Sequence, residues 1–581
     1  MFSPSCTPVY HTLRTTSRTQ HPPQRSHVRG FADVSSASRP LEPDGRERVV
    51  ILGSGWGGYV LARKLDPKKY RAIVISPRSY FVFTPLLNDS AVGTLEFRNV
   101  LESIRKRNTS ISFLQGWADD VNFADKTITV EPNVLDQNVG KALVGGGPPD
   151  KRVHVPADTF QLGGAAQPGG TGETKVPTFP TFNTPGVREN ALFLKDVNDA
   201  RRIRRRILDL FELARLPFIP EDTKRHLLHF AIVGGGPTGM EFAASLSDLI
   251  EQDLSRIFPT EMRYVRISLY DVAPKVLPMF DATLADYAVR QYQRRNIEIK
   301  TSHQVLSLRK GMPNDAEARD HQDLQAKHRV YTIETAQEGD VGIGMCVWST
   351  GNMANPFVAK TLDSVRRYPT NSASILEGSD VPSPRARQWM VQRDHKTGLI
   401  LVDDHFRVQL ETQTRSSASE NTSTSNHNGE EAYGESLDRN TTKARATMTD
   451  VFAIGDTTIM KTGRLPGTAQ VANQQALWLG NALNKSYRGQ PSSSDKAFEA
   501  AKGFGFRDLG VMTYLGGSRA VLQGGGQEVN KGSGARGLKG WIAYLVWRGA
   551  YLTMTLSWRN KFLVPVQWVA VKLFGRDVSR F

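Results

Sequence analysis

The chain has 581 residues and a formal net charge of +16. This length exceeds what one hydrophobic core supports, so we expect two to three domains. The positive charge is compatible with three explanations, namely nucleic acid, an anionic membrane surface and a basic import peptide. Because the sequence carries no nucleic-acid-binding motif, we predict no nucleic-acid partner.

Residues 1–40 have the composition of a targeting segment. Asp33 is the only acid among many serines, threonines and five arginines, which are Arg14, Arg18, Arg25, Arg29 and Arg39. This composition is typical of a mitochondrial presequence, and the lack of a long apolar run argues against a secretory signal. The alternative is a disordered basic tail without an address.

A glycine-rich turn connects an apolar strand, Val49–Leu52, to a helix, Tyr59–Leu65. Gly53, Gly55 and Gly58 of this turn have the spacing G-x-G-x-x-G. Such a turn lets the backbone approach a pyrophosphate, and the helix N-terminus favours the negative charge. One motif is weak evidence, because glycine turns after strands are common.

The same arrangement recurs further along the chain, in residues 229–250. An apolar strand beginning at His229 is followed by Gly234, Gly236 and Gly239 at the same spacing, and then by a helix, Met240–Ile250. Two such turns predict two dinucleotides held face to face. The predicted fold class is therefore α/β, with two Rossmann-like dinucleotide-binding domains.

The residue that ends the second strand of each unit indicates which nucleotide is bound. The first strand, Arg71–Ile75, ends in Ser76 and Arg78, whereas the second, Val265–Tyr270, ends at Asp271. A carboxylate at this position binds ribose hydroxyls and repels a 2′-phosphate. We therefore predict NADH rather than NADPH at the second site, and a nucleotide other than NAD at the first.

Two further segments of the first unit have residues suited to a flavin. The aromatic run Tyr80–Leu87 contains Thr84 and Pro85 and could wall a flat ring, although ordinary core packing is an equal alternative. A later strand, Asp450–Asp456, ends in a carboxylate that could bind the sugar-alcohol chain.

Three polar residues are candidates for the chemistry. Gln470 and Gln474 are spaced i, i+4 in the predicted helix Gly467–Leu479, so their amides share one face and could orient a carbonyl-bearing acceptor. The alternative is that both glutamines are ordinary exposed polar residues of the helix.

Glu241 lies in the first turn of the second glycine helix, where we expect it to face the mouth of the nicotinamide pocket. The alternative is an acid that is merely favoured by the helix macrodipole.

Other segments interrupt or follow these units. Glycine and proline clusters in residues 132–186 predict an irregular insertion, and the polar segment 411–447 predicts a disordered surface loop. The helix Asn198–Leu216 is predicted to present a solvated basic face, formed by Arg201, Arg202, Arg204, Arg205 and Arg206, and a functional basic patch is the alternative.

The C-terminal segment Gly540–Phe581 alternates aromatic and basic residues at helical spacing. Its apolar runs are shorter than the roughly 20 residues that span a bilayer. The pattern predicts amphipathic helices that lie in a membrane interface. Dimerisation or core packing is an alternative that is compatible with the first.

The chain has two cysteines, Cys6 and Cys346, and Cys6 lies in the predicted presequence. The remaining thiol can form neither a disulfide framework nor a redox-active dithiol.

Taken together, these segments resemble a known family. The matching stretches are ILGSGWGGYV, SPRSYFVFTPLL, TFNTPGVRENALFLKDV, AIVGGGPTGMEFA, VWSTGN, VFAIGD, TAQVANQQA, DLGVMTYLGGSRA and the aromatic-basic tail, in family order. The chain is similar to the type II, or alternative, NADH:ubiquinone oxidoreductases, and most closely resembles the fungal mitochondrial members.

The resemblance implies a flavoprotein that passes hydride from NADH to FAD and then two electrons to ubiquinone without pumping protons. It implies an FAD site formed by Gly53, Gly55, Trp56, Gly57, Gly58, Ser76, Arg78, Thr84, Pro85, Asp456 and Ala469. It implies an NADH site formed by Gly234, Gly236, Gly239 and Asp271. It further implies that Gln470 and Gln474 bind the quinone and that Glu241 lies near the nicotinamide and the quinone.

The chain departs from the family pattern at two places. Gln475 stands where many relatives have a glutamate, so we expect no proton role there. The segment VPADTFQLGGAAQPGGTG stands where the family has an apolar strand, which predicts that the first domain lacks one strand; a misread gene boundary is the alternative, and the sequence does not decide between them.

The predicted domains follow from these assignments. Residues 46–196 and 348–490 form the FAD domain, 197–347 the NADH domain, and 491–581 the membrane-anchoring and dimerisation segment. We expect a homodimer on the matrix side of the mitochondrial inner membrane. The rival interpretations are a reductase of another acceptor, of the disulfide or ferredoxin type, and an inactive FAD- and NAD-binding scaffold. A disulfide reductase would need the dithiol that this chain lacks.

Overall fold

The structure is a computed structural model that describes residues 45–105, 110–133, 153–162, 181–313, 329–350, 365, 367–370, 373–375, 389–412, 444–487, 498–525 and 537–579. The predicted presequence and most of the predicted loop 411–447 lie outside the described residues.

The strands and helices have the following bounds. The strands are β1 Glu47–Leu52, β2 Tyr70–Ser76, β3 Tyr80–Val82, β4 Leu101–Ser103, β5 Ser112–Asn122, β6 Thr127–Pro132, β7 Val153–Pro156, β8 Thr159–Leu162, β9 Leu192–Phe193, β10 His229–Val233, β11 Arg266–Tyr270, β12 Ile297–Lys300, β13 Val305–Lys310, β14 Tyr331–Thr335, β15 Gly339–Ile343, β16 Met345–Trp348, β17 Ala373–Ile375, β18 Trp389–Val391, β19 Ile400–Val402, β20 Arg407–Thr412, β21 Arg445–Ala453, β22 Thr458–Met460, β23 Val511–Gly516, β24 Arg519–Gln523 and β25 Gly537–Gly540. The α-helices are α1 Trp56–Lys64, α2 Leu87–Ala91, α3 Val187–Asn190, α4 Val197–Arg215, α5 Glu221–Leu227, α6 Pro237–Leu249, α7 Ser255–Ile257, α8 Ala282–Gln293, α9 Ala469–Ser486, α10 Trp541–Met554 and α11 Trp558–Phe574. A π-helical turn, Ile250–Leu254, joins α6 to α7, and short 3₁₀ turns cover Thr84–Leu86, Phe97–Asn99 and Met262–Tyr264.

The largest sheet contains the first glycine turn. Its central strands β21, β8, β1, β2 and β5 run parallel in that order, and antiparallel strands extend it on both sides. The last four residues of β1 are apolar and buried, as a strand covered on both faces requires. Helix α1 packs against α9, where Gly480 lies against Lys64 and Leu61.

The prediction that the first domain lacks a strand is wrong. β8 lies inside the segment that departs from the family pattern, and it pairs in parallel with both β1 and β21. Its four residues include Thr159 and Gln161, so the strand has no apolar run, yet all four are buried. The Thr159 hydroxyl donates to Glu47 Oε1 over 2.7 Å, which satisfies a polar group inside the sheet. With β7 also present, residues 153–162 are not irregular.

The second glycine turn belongs to a five-stranded parallel sheet in the order β12-β11-β10-β16-β9. Between β12 and β16 the chain forms a separate antiparallel sheet of three strands, β13 to β15. Helix α6 follows the turn, and the π-turn and α7 prolong it to Ile257. Two Rossmann-like units are therefore present, and the predicted α/β fold class is confirmed.

The prediction of a solvated arginine face on α4 is wrong for Arg204. Its side chain is buried, the guanidinium lies over the Phe97 ring, and Nη2 donates to the carbonyl oxygen of Asp577. Arg206 donates from Nε to the Gly344 carbonyl over 3.1 Å. Charge periodicity alone does not distinguish these anchoring arginines from exposed ones, because long side chains can cover apolar surface.

The C-terminal segment is more than a pair of helices. Strands β23 to β25 form an antiparallel sheet that leads into α10 and α11, and this sheet was not predicted from the sequence. Each helix has an apolar face left open to solvent. The exposed apolar residues of these two faces are Trp541, Ile542, Leu545 and Val546 on α10, and Trp558, Phe562, Val566, Val569, Leu573 and Phe574 on α11. Among the described residues, no helix combines the length and apolarity needed to cross a bilayer.

Candidate active site

The first glycine turn leaves space for a phosphate group close to the backbone. Gly53 has φ of +100°, which favours glycine. A Cβ on Gly58 would collide with the Gly53 carbonyl oxygen, and a Cβ on Gly57 would lie 3.2 Å from Ile454 Cδ1. A side chain is therefore excluded at Gly58 and crowded at Gly57, so the N–H groups of the helix N-terminus are not covered by side chains from these two positions.

The end of β2 carries the two polar residues predicted for this site. The Ser76 hydroxyl lies 2.9 Å from the Ser54 hydroxyl inside the turn. Arg78 Nη1 lies 3.2 Å from Asp196 Oδ1, and Arg78 Nη2 is buried without a hydrogen-bond partner among the described residues. A buried unpaired guanidinium nitrogen is costly, so this atom is suited to a ligand oxygen.

The predicted ring wall is assembled at the same edge of the sheet. Trp56 Nε1 donates to Thr84 Oγ1 over 3.1 Å, and the Trp56 ring packs edge-on against Phe81 at 5.0 Å. Pro85 follows Thr84 in a 3₁₀ turn, and the fixed φ of this proline suits the start of a helical turn. These residues thus form a rigid border beside the glycine turn.

The turn after β21 lies at the same edge of the sheet as the first glycine turn, because β21 and β1 both pair in parallel with β8. Gly455 has φ of +85° and is followed by Asp456, and a cavity of about 190 Å³ lies beside both residues. Burial raises the pKa of the Asp456 carboxyl, and the positive charge of Lys195 opposes this effect. Ala469, also predicted to contact FAD, is the first residue of α9.

Gln475 has a structural role at this turn. Its Oε1 accepts from the Gly455 N–H over 2.7 Å, and its side chain is only 2% exposed. The residue that departs from the family glutamate therefore holds the backbone next to Asp456.

The second glycine turn repeats the geometry of the first. Gly234 has φ of +116°, and a Cβ on Gly239 would collide with the Gly234 carbonyl oxygen. A Cβ on Gly236 would meet nothing within 4 Å, so open space lies above the turn. Asp271 Oδ2 accepts from the Gly235 N–H, and its Oδ1 accepts from the Ala273 N–H over 2.7 Å. The predicted ribose carboxylate is thus fixed directly beside the turn.

Glu241 does not lie at an open pocket mouth, and this part of the prediction is wrong. Its side chain is 6% exposed and accepts from Asn88 Nδ2, Thr513 Oγ1, the Tyr514 N–H and Trp547 Nε1. Burial raises the pKa of the Glu241 carboxyl to about 7, although the hydrogen bonds favour its charged form. A carboxyl with this pKa can take up and release a proton near neutral pH.

Gln470 and Gln474 have different surroundings although both lie on α9. Gln474 Nε2 donates to the Arg507 carbonyl over 2.8 Å, and its Oε1 accepts from the Arg507 N–H over 3.1 Å. Gln474 therefore attaches the segment that leads into β23. Gln470 is half-buried one turn earlier.

Sequence reasoning missed the residues that surround Glu241. Asn88 is next to the aromatic run, and Thr513 and Tyr514 lie in an unpredicted strand. Trp547 belongs to the aromatic-basic tail, for which the sequence predicted helices in a membrane interface. The one available signal is the spacing of Ala543, Tyr544 and Trp547, which form the buried side of α10.

Cys346 lies in β16, where burial raises the pKa of its thiol to about 12. It is the one cysteine among the described residues, because Cys6 lies outside them. A buried, protonated single thiol gives no support to disulfide chemistry.

The fold and the two glycine turns define a class of protein. The chain matches the pyridine nucleotide-disulphide oxidoreductase family over residues 47–367 and the NDH2 C-terminal domain over residues 509–577. It therefore belongs to the pyridine nucleotide-disulphide oxidoreductases.

Similar proteins specify the family further. The chain is 30% identical to a probable NADH dehydrogenase of Dictyostelium discoideum, covering 92% of this chain and 91% of that protein. It is also 30% identical to the mitochondrial external alternative NAD(P)H-ubiquinone oxidoreductase B1 of Solanum tuberosum, covering 96% and 94%. The structure of NDH2 from Plasmodium falciparum in complex with NADH has the same fold, with a TM-score of 0.65, 22% identity and coverage of 92% and 100%. The chain belongs to the type II NADH dehydrogenases.

Proposed function

We propose that the chain is a non-proton-pumping NADH:ubiquinone oxidoreductase with FAD on the first glycine turn and NADH on the second. One observation carries the proposal. The chain has two such turns, each at the carboxyl edge of a parallel sheet, and its C-terminal domain encloses the buried acid Glu241 on the helix after the second turn. When bound, FAD supplies a two-electron carrier between a hydride donor and a quinone.

The first turn binds and fixes the flavin nucleotide. N–H groups at the start of α1 bind the pyrophosphate, and Arg78 presents its buried nitrogen to the same ligand. Asp456 binds the sugar-alcohol chain. Trp56, Thr84, Pro85 and Ala469 would border the flavin ring and orient it.

The second turn binds NADH in the same manner. Gly234, Gly236 and Gly239 leave the N-terminus of α6 open to the pyrophosphate, and Asp271 binds the ribose hydroxyls. The Asp271 carboxylate would repel a 2′-phosphate, which favours NADH over NADPH.

The acceptor site lies between α9 and the C-terminal domain. Gln470 orients a quinone carbonyl through its amide, whereas Gln474 holds the Arg507 backbone that leads into β23. Glu241 supplies a proton to the reduced quinone, because its pKa of about 7 keeps a protonated fraction near neutral pH.

Purification of the chain tests the proposal directly. We expect a yellow protein whose flavin absorbance is bleached by NADH without oxygen and is restored by a soluble ubiquinone analogue. A colourless protein would support the rival scaffold interpretation. A flavin that NADH bleaches but that no quinone reoxidises would support a reductase of another acceptor.

We propose that the exposed apolar faces of α10 and α11 attach the enzyme to the membrane surface, where ubiquinone is dissolved. Arg559 and Lys572 are exposed on α11 and suit anionic lipid headgroups. We expect Phe562→Glu with Val569→Glu to abolish flotation with vesicles and to retain bound flavin. Phe218→Glu is the matched control, because Phe218 is also 70% exposed but lies after α4. Unchanged flotation of the double variant would refute this attachment.

We propose a mitochondrial homodimer on the matrix side of the inner membrane. Matrix-facing enzyme would oxidise added NADH only after mitochondria are opened, whereas oxidation by intact mitochondria would place it on the outer face. The mass of the detergent-purified holoenzyme tests the dimer.

A further inference from the structure

Glu241 is enclosed by hydrogen-bond donors from three separate parts of the chain. Asn88 of α2 donates to Oε2 over 3.1 Å. Thr513 and Tyr514 of β23 donate to Oε1 over 3.4 and 3.2 Å, and Trp547 of α10 donates to the same oxygen over 3.4 Å. The C-terminal domain therefore supplies every donor that Oε1 receives from the described residues.

Trp547 is held firmly in this place. It is 3% exposed, and its ring stacks on Tyr514 at 5.3 Å and meets Tyr551 edge-on at 4.9 Å. The opposite face of the same helix is open to solvent, with Trp541 63% and Leu545 48% exposed. One helix thus presents an indole N–H to the buried acid and an apolar surface to the outside.

The groups around Glu241 act on its charge in opposite directions. The titratable groups that interact with Glu241 are Asp89 of α2, Tyr514 of β23, Tyr292 of α8 and Tyr551 of α10. Asp248 of α6 acts on Tyr292 and Tyr514. Burial and then Asp89 raise the Glu241 pKa, whereas the bonds from Tyr514, Trp547 and Asn88 lower it. Arg548 and Arg576 offset the charge of Asp89. No cationic group contributes directly to Glu241 among these causes, so its charged form depends on neutral donors.

We propose that Trp547 is a positioning residue for Glu241, so that the C-terminal helix forms part of the acceptor-site wall and orients the carboxyl that serves the quinone. The inference rests on the proposed function, because it takes Glu241 as the proton donor. It assigns the C-terminal domain a role in the reaction in addition to attachment to a surface.

Trp547→Phe tests this role, because it keeps an aromatic ring and removes only the N–H donor. Loss of a donor to the carboxylate raises the pKa of Glu241. Quinone reduction needs the protonated carboxyl and declines as pH rises through this pKa. We therefore expect the decline in the kcat of quinone reduction to move about one pH unit upward in the holoenzyme. Anaerobic bleaching of the flavin by NADH should keep its rate, since that step does not use the proton.

Tyr544→Phe is the matched control. Tyr544 lies on the same buried side of α10 and packs against Tyr514, and no hydrogen bond joins it to Glu241 among the described residues. We expect its pH profile to match that of the unchanged enzyme. An equal shift in both variants would overturn the proposal, because it would reflect a general loosening of the helix.

Glu241→Gln separates failure of the inference from failure of the proposed function. If this variant retains the same pH-dependent decline, Glu241 is not the proton donor and both assignments fall. If it loses the decline while Trp547→Phe leaves the profile unmoved, only the positioning role of Trp547 falls. Should Trp547→Phe not fold, benzothienylalanine at position 547 keeps the bicyclic shape without the N–H, and the same upward shift is expected. An unmoved profile would then overturn the proposal.

Discussion

The two glycine turns have nearly the same backbone but different side chains around them. Gly53 and Gly234 have φ of +100° and +116°, and Gly58 and Gly239 each exclude a Cβ because a carbonyl oxygen lies too close. The first turn is bordered by hydroxyl and guanidinium groups, and the second by the carboxylate of Asp271. In the proposed function the shared backbone binds a pyrophosphate in both units, and the neighbouring side chains select the nucleotide.

The helices after the two turns also differ in what covers them. Helix α1 packs against α9 through apolar contacts and Gly480. Helix α6 carries Glu241, which the C-terminal domain encloses and supplies with donors. The helix of the first unit is therefore covered by another helix, whereas the helix of the second unit carries a titratable acid at its contact with the C-terminal domain.

The largest effect should come from closing either turn. In Gly58→Ala the new Cβ would collide with the Gly53 carbonyl oxygen and lie 3.0 Å from Ile51 Cγ2. We expect a colourless protein, since the pyrophosphate site is distorted. In Gly239→Ala we expect the flavin to remain and NADH oxidation to fall about 100-fold or more, because small misplacements have effects of this size. Loss of flavin in Gly239→Ala would show that the two turns do not bind separate nucleotides.

A smaller loss of activity should follow when Asp271 of the second turn is replaced by serine, the residue type that Ser76 provides at the first turn. Asp271→Ser removes a charged hydrogen-bonding group, so kcat/KM for NADH should fall about 10- to 100-fold while NADPH is affected less. Steady-state kinetics with both nucleotides measure this change in preference. Asp286→Ser on the exposed side of α8 is the control for the altered net charge. An equal loss for both nucleotides would contradict the role of Asp271.

A third effect concerns the stability of the first unit, in which the Gln475 side chain fixes the backbone of Gly455. Gln475→Leu removes the acceptor of the half-buried Gly455 N–H, which should lower the free energy of unfolding by about 0.5–1.5 kcal/mol. Thermal unfolding followed by released flavin fluorescence measures the loss. Gln475→Glu keeps an acceptor at this position, so it should lose less stability. Equal losses would show that the hydrogen bond is unimportant.

The smallest expected effect is a change in KM for a soluble quinone when either Gln470 or Gln474 of α9 is replaced. Gln474→Ala removes two hydrogen bonds to the exposed Arg507 backbone, which water can replace, so KM for a soluble quinone should rise about two- to tenfold at most. Gln470→Ala should raise the same KM more, since Gln470 is proposed to bind the quinone carbonyl. Flavin content should be unchanged in both. A larger effect at Gln474 would reverse the two assignments.

Much of the fold could be predicted because its signals are local. Strand, turn and helix of each glycine unit were located to within a few residues, since G-x-G-x-x-G constrains consecutive backbone angles. β8 was missed because Thr159 and Gln161 give it no apolar run, and its burial depends on strands on either side. Arg204 was misjudged for a similar reason, because its cover comes from Phe97 and Asp577.

The sequence by itself determined the two nucleotide turns, the carboxylate at Asp271 and the amphipathic C-terminal helices, because each depends on residues close together in the chain. Only the tertiary structure decided the state of Glu241. Its donors come from α2, β23 and α10, and its burial comes from the same elements. A pKa responds to all atoms within a few ångströms in space, and folding brings those atoms together from distant parts of the sequence.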